Sequence, residues 1–281
     1  MILKWANWTR SSRRLIFLSP SRLQQRLVRA CSLDQDGTRH GRLLADAQRL
    51  RGRVYLADGA IRVSDLTGDG RHLQPTDDLS YHILTLDEKD NVLGCLRYLP
   101  HAYDVSMSDL ALSHSAIARS SAWGAVVEEA IRTQVHSARR QGFTYIELGG
   151  WAMSEELRGG VDAVRMLLSV YALARSTGGA LGITTATTRH HSSSILRRMG
   201  GKSLTVGGQV VPPYFDPQFG CEMELLGFNS NEPSAQYAEL ISDYQSGLAE
   251  VPVIQPDCMA GTRSSNRSKP ILFNALPATL R

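Results

Sequence analysis

The sequence predicts an α+β fold, a mixed, mostly antiparallel twisted sheet flanked by helices, and three observations carry that prediction. Two β-rich runs, Tyr81-His-Ile-Leu-Thr-Leu and Val92-Leu-Gly-Cys-Leu-Arg-Tyr-Leu, join across Asp87 to Asn91 and read as an antiparallel hairpin closed by Pro100. Phe143 to Leu148 reads as a strand, Val161 to Ala174 as a helix and Leu181 to Ala186 as a second strand, which together make a βαβ unit. That helix is apolar on almost every side, so it must be buried between other elements.

The other elements follow in chain order. The spacing of Leu23, Leu27 and Ala30 predicts a short amphipathic helix from Ser21, and Leu43, Leu44, Ala47 and Leu50 predict a second, with Asp36-Gly37 as the break. Val54 to Ala57 and Ile61 to Val63 read as short strands on either side of the turn Asp58-Gly59. Residues 121 to 140 place Val126, Val127, Ala130, Ile131 and Val135 on one side, with Arg139 and Arg140 in the last turn and Gly142 beyond it. That is a helix with its stop signal. Gly149-Gly150 is expected to break the strand that ends at Leu148. His191 to Met199 reads as a short helix, Val206 to Val211 and Cys221 to Phe228 as a last pair of strands, and Pro233 to Leu248 as a surface helix. Residues 251 to 281, rich in Pro, Ser and Asn, read as a disordered tail.

Composition narrows the class. With 281 residues, 42% apolar and 21% charged, the chain is that of a soluble globular protein. No apolar run approaches the roughly 18 to 20 residues of a membrane helix, and the stretch Leu15 to Leu18 ends at Ser19 and Pro20. Neither an integral membrane protein nor a secretory signal is expected. Cys31, Cys95, Cys221 and Cys258 stand far apart, which predicts reduced thiols in a cytoplasmic protein and no metal site. Charge is uneven: residues 1 to 53 carry a net +9 and the remainder −5. So basic an end fits nucleic acid, a phospholipid surface, an acidic protein, or a solvated face with no partner. Only Trp5, Trp8 and Phe17 accompany those arginines, so no nucleic-acid partner is expected.

The chemistry is expected around Tyr145 to Ala163. There a strand runs into a glycine-containing turn that carries Arg158, and the turn opens the buried helix. Free amides and the positive helix end can cradle a phosphate in such a place, with Gly159 and Gly160 permitting close approach. A plain strand-to-helix loop has the same composition.

The run Glu147 to Ala163, with Thr184-Thr-Ala-Thr-Thr-Arg-His-His-Ser-Ser-Ser-Ile-Leu-Arg-Arg-Met-Gly-Gly downstream, resembles the core of the GNAT superfamily of N-acyltransferases. Upstream, Leu50-Arg-Gly-Arg-Val-Tyr, Asp77-Asp-Leu-Ser-Tyr-His-Ile-Leu and Gly94-Cys-Leu-Arg-Tyr-Leu-Pro are similar to the branch of acyl-homoserine-lactone autoinducer synthases and long-chain N-acyl amino acid synthases. The resemblance covers roughly residues 45 to 228. It implies a GNAT-like sheet with a splayed strand pair that forms the acyl-donor cleft. It leaves both ends unexplained; with the readings from charge, spacing and composition the expected layout is a basic helical extension over 1–44, an acyltransferase domain over 45–228, a C-terminal helix over 229–250 and a tail over 251–281.

The activity so implied is transfer of a long-chain fatty acyl group to the α-amine of an amino acid. The donor is an acyl carrier protein thioester on phosphopantetheine or an acyl-CoA, with no permanently bound cofactor. Glu147 is the expected general base, directly or through a water; a second reading makes it an ordinary strand-end carboxylate paired to a neighbouring Arg. Backbone amides of Trp151 and Met153 hold the thioester carbonyl and pantetheine arm, and Arg158, Gly159, Gly160 and Ala163 form the donor loop. Arg97 and Asp77 are the expected acceptor-binding residues; a second reading only pairs Arg97 with Asp77 or Asp78. The basic segment 1 to 53 is the expected docking face for an acidic acyl carrier protein.

The sequence departs from the pattern at three places. Val161 stands where the first loop glycine is expected, and Leu196 where a proton-donating tyrosine is usual. Gly149-Gly150-Trp151 replaces the Ser-Arg pair of autoinducer synthases, which favours the amino acid branch. The alternatives are an autoinducer synthase using S-adenosylmethionine and a non-catalytic GNAT-like binding module.

Overall fold

A computed structural model describes residues 3–8, 12–21 and 32–257. In chain order its elements are α1 (Trp5–Trp8), β1 (Arg14–Leu18), β2 (Ser32–Gln35), α2 (Gly37–Ala57), β3 (Tyr81–Leu86), β4 (Val92–Pro100), α3 (Gly124–Gln141), β5 (Thr144–Met153) and α4 (Asp162–Ser176). There follow β6 (Ala180–Thr187), α5 (Ser192–Met199), β7 (Lys202–Ser203), β8 (Thr205–Val206), β9 (Gln209–Val210), β10 (Tyr214–Asp216), β11 (Cys221–Asn229), α6 (Ala235–Gly247) and β12 (Pro252–Gln255). One mixed sheet runs β10-β11-β6-β5-β4-β3-β1-β12-β2, with β7 also on β11. β5/β6, β1/β12 and β12/β2 are parallel and the other pairs antiparallel. This is the expected α+β class.

Strand alternation sorts the side chains into two layers. Ile146 and Leu148 of β5 join Leu96 and Tyr98 of β4 in a core filled by α4, α5 and α6, with Trp8 of α1 packed into it. Tyr145, Leu181, Ile183 and Leu225 turn to the opposite face, where α3 supplies Val127, Ala130, Ile131 and Val135. On that same face α2 lays Leu43, Ala47 and Leu50 over Ile16, Leu84 and Cys95. The expectation for α4 holds: every residue from Asp162 to Ala174 except Val164 is buried.

Several expectations are corrected. Val54 to Ala57 continue α2 rather than forming a strand, because Leu43, Ala47, Leu50 and Val54 keep helical spacing along one packed face. Asp36 is the N-cap of that helix, its carboxylate accepting the Arg39 amide at 2.8 Å. Ile61 to Val63 form a bend and the start of a 3₁₀ turn. Gly149-Gly150 does not end β5; a bulge carries the strand on to Met153. In place of one strand from Val206 to Val211 there is a tight two-stranded ribbon, β8 and β9, with Thr205 opposite Val210 and a turn at Gly207-Gly208, both at positive φ.

The sheet also reaches outside residues 45–228. Residues 14–18 of the expected helical extension pair with β3 along their length, and 252–255 of the expected tail pair with β1 and β2. Leu15 to Leu18 and Val253 to Ile254 are buried there, so burial of apolar strands outweighs their flanking composition. Residues 22–30 of the predicted helix from Ser21, Cys31, and residues 258–281 of the tail, Cys258 among them, lie outside the described residues.

Candidate active site

β5 and β6 share a parallel ladder from Thr144 opposite Ala180 to Leu148 opposite Thr184, and there it stops. Beyond that point β5 stays on β4 as far as Met153 opposite Gly94, while β6 stays on β11 as far as Thr187 opposite Met223. The strands therefore part between 148 and 153. A bulge marks the parting: Arg97 faces Gly149 and Cys95 faces Ala152, so Gly150 and Trp151 together oppose Leu96. Gly150 takes φ 61°, the left-handed conformation that such a bulge uses.

The gap exposes strand backbone. The Ser154 amide donates to Leu93 O on β4 at 2.7 Å, so alternation along β5 turns the Trp151 and Met153 amides away from β4 and toward the gap. The Trp151 carbonyl, on the same edge, accepts the Tyr55 hydroxyl at 3.5 Å. A cavity of about 860 Å³ opens here, walled by Gly149 to Met153 on one side and Thr184 to Thr187 on the other. That volume accommodates a drug-sized ligand or a cofactor arm.

The expected donor loop borders this cavity: Arg158, Gly159, Gly160 and Ala163 all line it. Gly159 has φ 72°, whereas Val161 has φ −85°, which any residue adopts, so the chain needs no glycine at 161. The Gly160 amide is committed to Leu157 O at 3.3 Å. Asp162, buried at the start of α4, is held by Arg13 and by Arg165, the latter at 3.4 Å. Among the described residues Arg158, Arg189 and Arg198 at the cavity wall pair with no carboxylate. The N-terminal arginines differ: Arg13, Arg14, Arg39, Arg42, Arg49 and Arg51 each meet an Asp.

Glu147 lines the cavity and is nearly buried. Its Oε2 accepts the Ala111 amide at 3.0 Å and lies 3.1 Å from His101 Nε2, and its Oε1 accepts the Leu112 amide at 3.1 Å. Among the described residues no arginine pairs with it. The carboxylate thus ties the 3₁₀ turn 111–114 to the sheet, and the described residues fill three of its roughly four acceptor sites.

Arg97 lines the cavity, whereas Asp77 is not among the lining residues and stands behind it. Asp77 takes a two-pronged contact from Arg51, at 2.7 and 2.6 Å, a hydrogen bond from Gln48 at 3.0 Å and Arg97 Nη1 at 3.3 Å. Asp77 therefore orients Arg97. Burial alone would raise its pKa, but hydrogen bonding and charge from Arg51, then His82 and Arg97, hold it well below the carboxylate range. Burial, then repulsion from Arg51, lowers the pKa of Arg97. Two buried guanidinium groups share one carboxylate, and Arg97 Nε has no acceptor among the described residues. A positive charge is left over beside the cavity.

Sequence reasoning missed Tyr55 and His101. Tyr55 was assigned to a strand, and only helical spacing continued past Leu50 would have shown its direction. His101 follows Pro100, two residues past the Leu99 that opposes Glu147, so β4/β5 register brings it there.

No protein-family model matches this chain, and no curated protein matches its sequence. Solved structures do share the fold. BjaI, a CoA-dependent acyl-homoserine lactone synthase solved with MTA, superposes with a TM-score of 0.51 at 14% identity, over 80% of this chain and 93% of that one. The same protein with SAM and isopentyl-CoA gives a TM-score of 0.50 at 14% identity, over 80% and 93%. TofI, in a ternary complex with an inhibitor and MTA, gives 0.50 at 14% identity, over 82% and 96%. At that identity the likeness shows a shared fold.

Proposed function

We propose that the protein is an N-acyltransferase that moves a fatty acyl group from a pantetheine thioester to the α-amine of an amino acid. The observation that carries this reading is the parting of β5 and β6 after Leu148 and Thr184, which leaves the amides of Trp151 and Met153 facing a cavity. An extended amide-bearing arm can pair with that edge as an added strand would. Arg158, Gly159, Gly160 and Ala163 hold the donor's phosphate end. The surplus positive charge at Arg97 selects an acceptor that brings a carboxylate, because a buried cation without a counter-ion is costly.

Glu147, through its remaining acceptor site and with His101 beside it, takes the proton from the attacking amine by way of a water. The donor is held on acyl carrier protein or CoA. The acidic carrier protein docks at the basic cavity rim, Arg158, Arg189 and Arg198, rather than along residues 1 to 53, whose described arginines are mostly matched by aspartates.

A second reading has support in the fold shared with BjaI in its complex with SAM and isopentyl-CoA: the acceptor is S-adenosylmethionine, whose amine and carboxylate suit the same Arg97 end. Incubating purified protein with an acyl-carrier or acyl-CoA donor and pooled amino acids, or with S-adenosylmethionine, separates the readings by mass spectrometry. An acyl amino acid supports the first and an acyl lactone the second. No product from any arm leaves a non-catalytic module. Undiminished turnover in Glu147→Gln removes Glu147 from its role.

A further inference from the structure

Amide formation from a thioester leaves a sulfur that must gain a proton, and Leu196, at the place where the resemblance expects a proton donor, is an aliphatic side chain in α5. Another acid of the chain, or solvent, supplies that proton. The structure points to the phenol of Tyr55 as that group, delivering its proton to the sulfur of the departing pantetheine; the inference deepens the acyltransferase reading and rests on it.

Geometry separates Tyr55 from the other acidic groups around the cavity. It stands in the last turn of α2, one turn past Arg51, and its ring meets His72 edge-on with centroids 5.6 Å apart. Its hydroxyl lies on the free edge of β5, donating to Trp151 O at 3.5 Å, a long and weak bond that a developing anion can take over. The thioester is expected along this same edge, beside the Trp151 amide. Tyr214 also lines the cavity, but on β10, two strands beyond β6 and away from the free edge of β5. Cys221 belongs to that distant side as well.

Electrostatics keep the proton available. The phenol holds its proton at neutral pH; burial, which pushes it up to about 12, makes it a weaker acid, and Arg51 and Arg97 act against that and favour proton release. The two guanidinium groups also soften the cost of the transient phenolate.

The step balances. The neutral amine nitrogen bonds to the thioester carbon, and collapse of the tetrahedral adduct breaks the carbon–sulfur bond with its electron pair going to sulfur. Sulfur takes the Tyr55 proton and leaves as a thiol. The nitrogen proton, taken up by Glu147 through a water, passes on through solvent and restores the phenol, so both groups end as they began. Thioester and amine give amide and thiol, and nothing else is consumed.

Tyr55→Phe removes only the oxygen and keeps the ring contact with His72. The test compares two donors of one acyl group: the pantetheine thioester, whose leaving thiol needs the proton, and a 4-nitrothiophenyl thioester, whose thiol is already acidic. The expected result is a loss of about 100-fold in kcat on the pantetheine donor, the lower end of what a positioned acid contributes, with little change on the aryl donor. The ratio of the two rates does not depend on the folded fraction. Equal loss on both donors, or no loss on either, overturns the proposal while acyl transfer itself stands. If the wild type makes no amide, the acyltransferase reading falls and the inference falls with it.

Discussion

Leu148 and Thr184 are the last residues at which β5 and β6 face one another across a shared ladder. Leu148 closes the parallel pairing from one side, and two residues later Gly150, at φ 61°, swings β5 outward over Leu96. The cavity is therefore made by backbone geometry, and the residues that set the geometry are open to test.

Gly150 is the first. An added Cβ there would stand 3.2 Å from Arg51 Nη1 and 3.3 Å from Arg97 Cβ, in a conformation that side-chain-bearing residues avoid. Gly150→Ala is expected to cost about 1 to 2 kcal/mol from conformation alone, read by urea denaturation, and to depress amide formation by disturbing Trp151. Gly178, also at positive φ but with nothing near its Cβ position, gives the control for strain without crowding.

Asp77 holds two arginines in the interior. Asp77→Asn leaves Arg51 and Arg97 buried without a full counter-charge, so a loss of about 3 to 5 kcal/mol is expected in chemical denaturation.

Arg97→Met should behave in the opposite way. It removes the surplus buried charge and leaves Arg51 paired with Asp77, so stability should change by less than about 1 kcal/mol or rise. The acceptor KM should climb about 10- to 100-fold, the worth of a charged hydrogen bond, with donor KM little changed. Equal acceptor KM in variant and wild type would remove Arg97 from acceptor binding.

His82 gives a pH signature. Burial lowers its pKa to about 4, with its Nε2 placed 2.9 Å from Asp77 O. The unfolded value is about 6.5, so between those limits the unfolded chain binds the extra proton and stability falls as pH falls. The effect saturates near pH 4, where the folded protein can also take the proton, and amounts to about 3 kcal/mol. His40 and His72, also lowered chiefly by burial, act in the same direction. His82→Gln should flatten the stability profile between pH 6.5 and 4 by His82's share, leaving the portion due to the other two.

Much of this architecture was readable before any coordinates. The β3/β4 hairpin, α3 with Gly142 as its stop, and the unit from β5 through α4 to β6 each announce themselves by local periodicity and turn chemistry. What escaped depends on distant partners. β1 and β12 are short apolar runs that become strands because a sheet edge receives them, and the Val54-Tyr55-Leu56 run, strand-like in composition, stays helical because α2 packs on β4 and β5. The site shows the same division. Arg158, Gly159, Gly160 and Glu147 are legible from a loop motif and a strand end. The pairing of Arg97 through Asp77 to Arg51, the anchoring of Ala111 and Leu112 by Glu147, and the placing of Tyr55 on Trp151 O join residues far apart in sequence, which no spacing rule reports.

The most direct trial of the account is a crystal structure of the protein with a thioether analogue of its acyl-pantetheine donor, in which the sulfur linkage cannot be broken. The account predicts the arm along residues 149 to 153 with the Trp151 and Met153 amides bonded to it, the acyl tail between Leu148 and Thr184 to Ala186, and the sulfur within reach of the Tyr55 hydroxyl. An analogue bound elsewhere, or β5 and β6 found joined from 149 to 153, would contradict it.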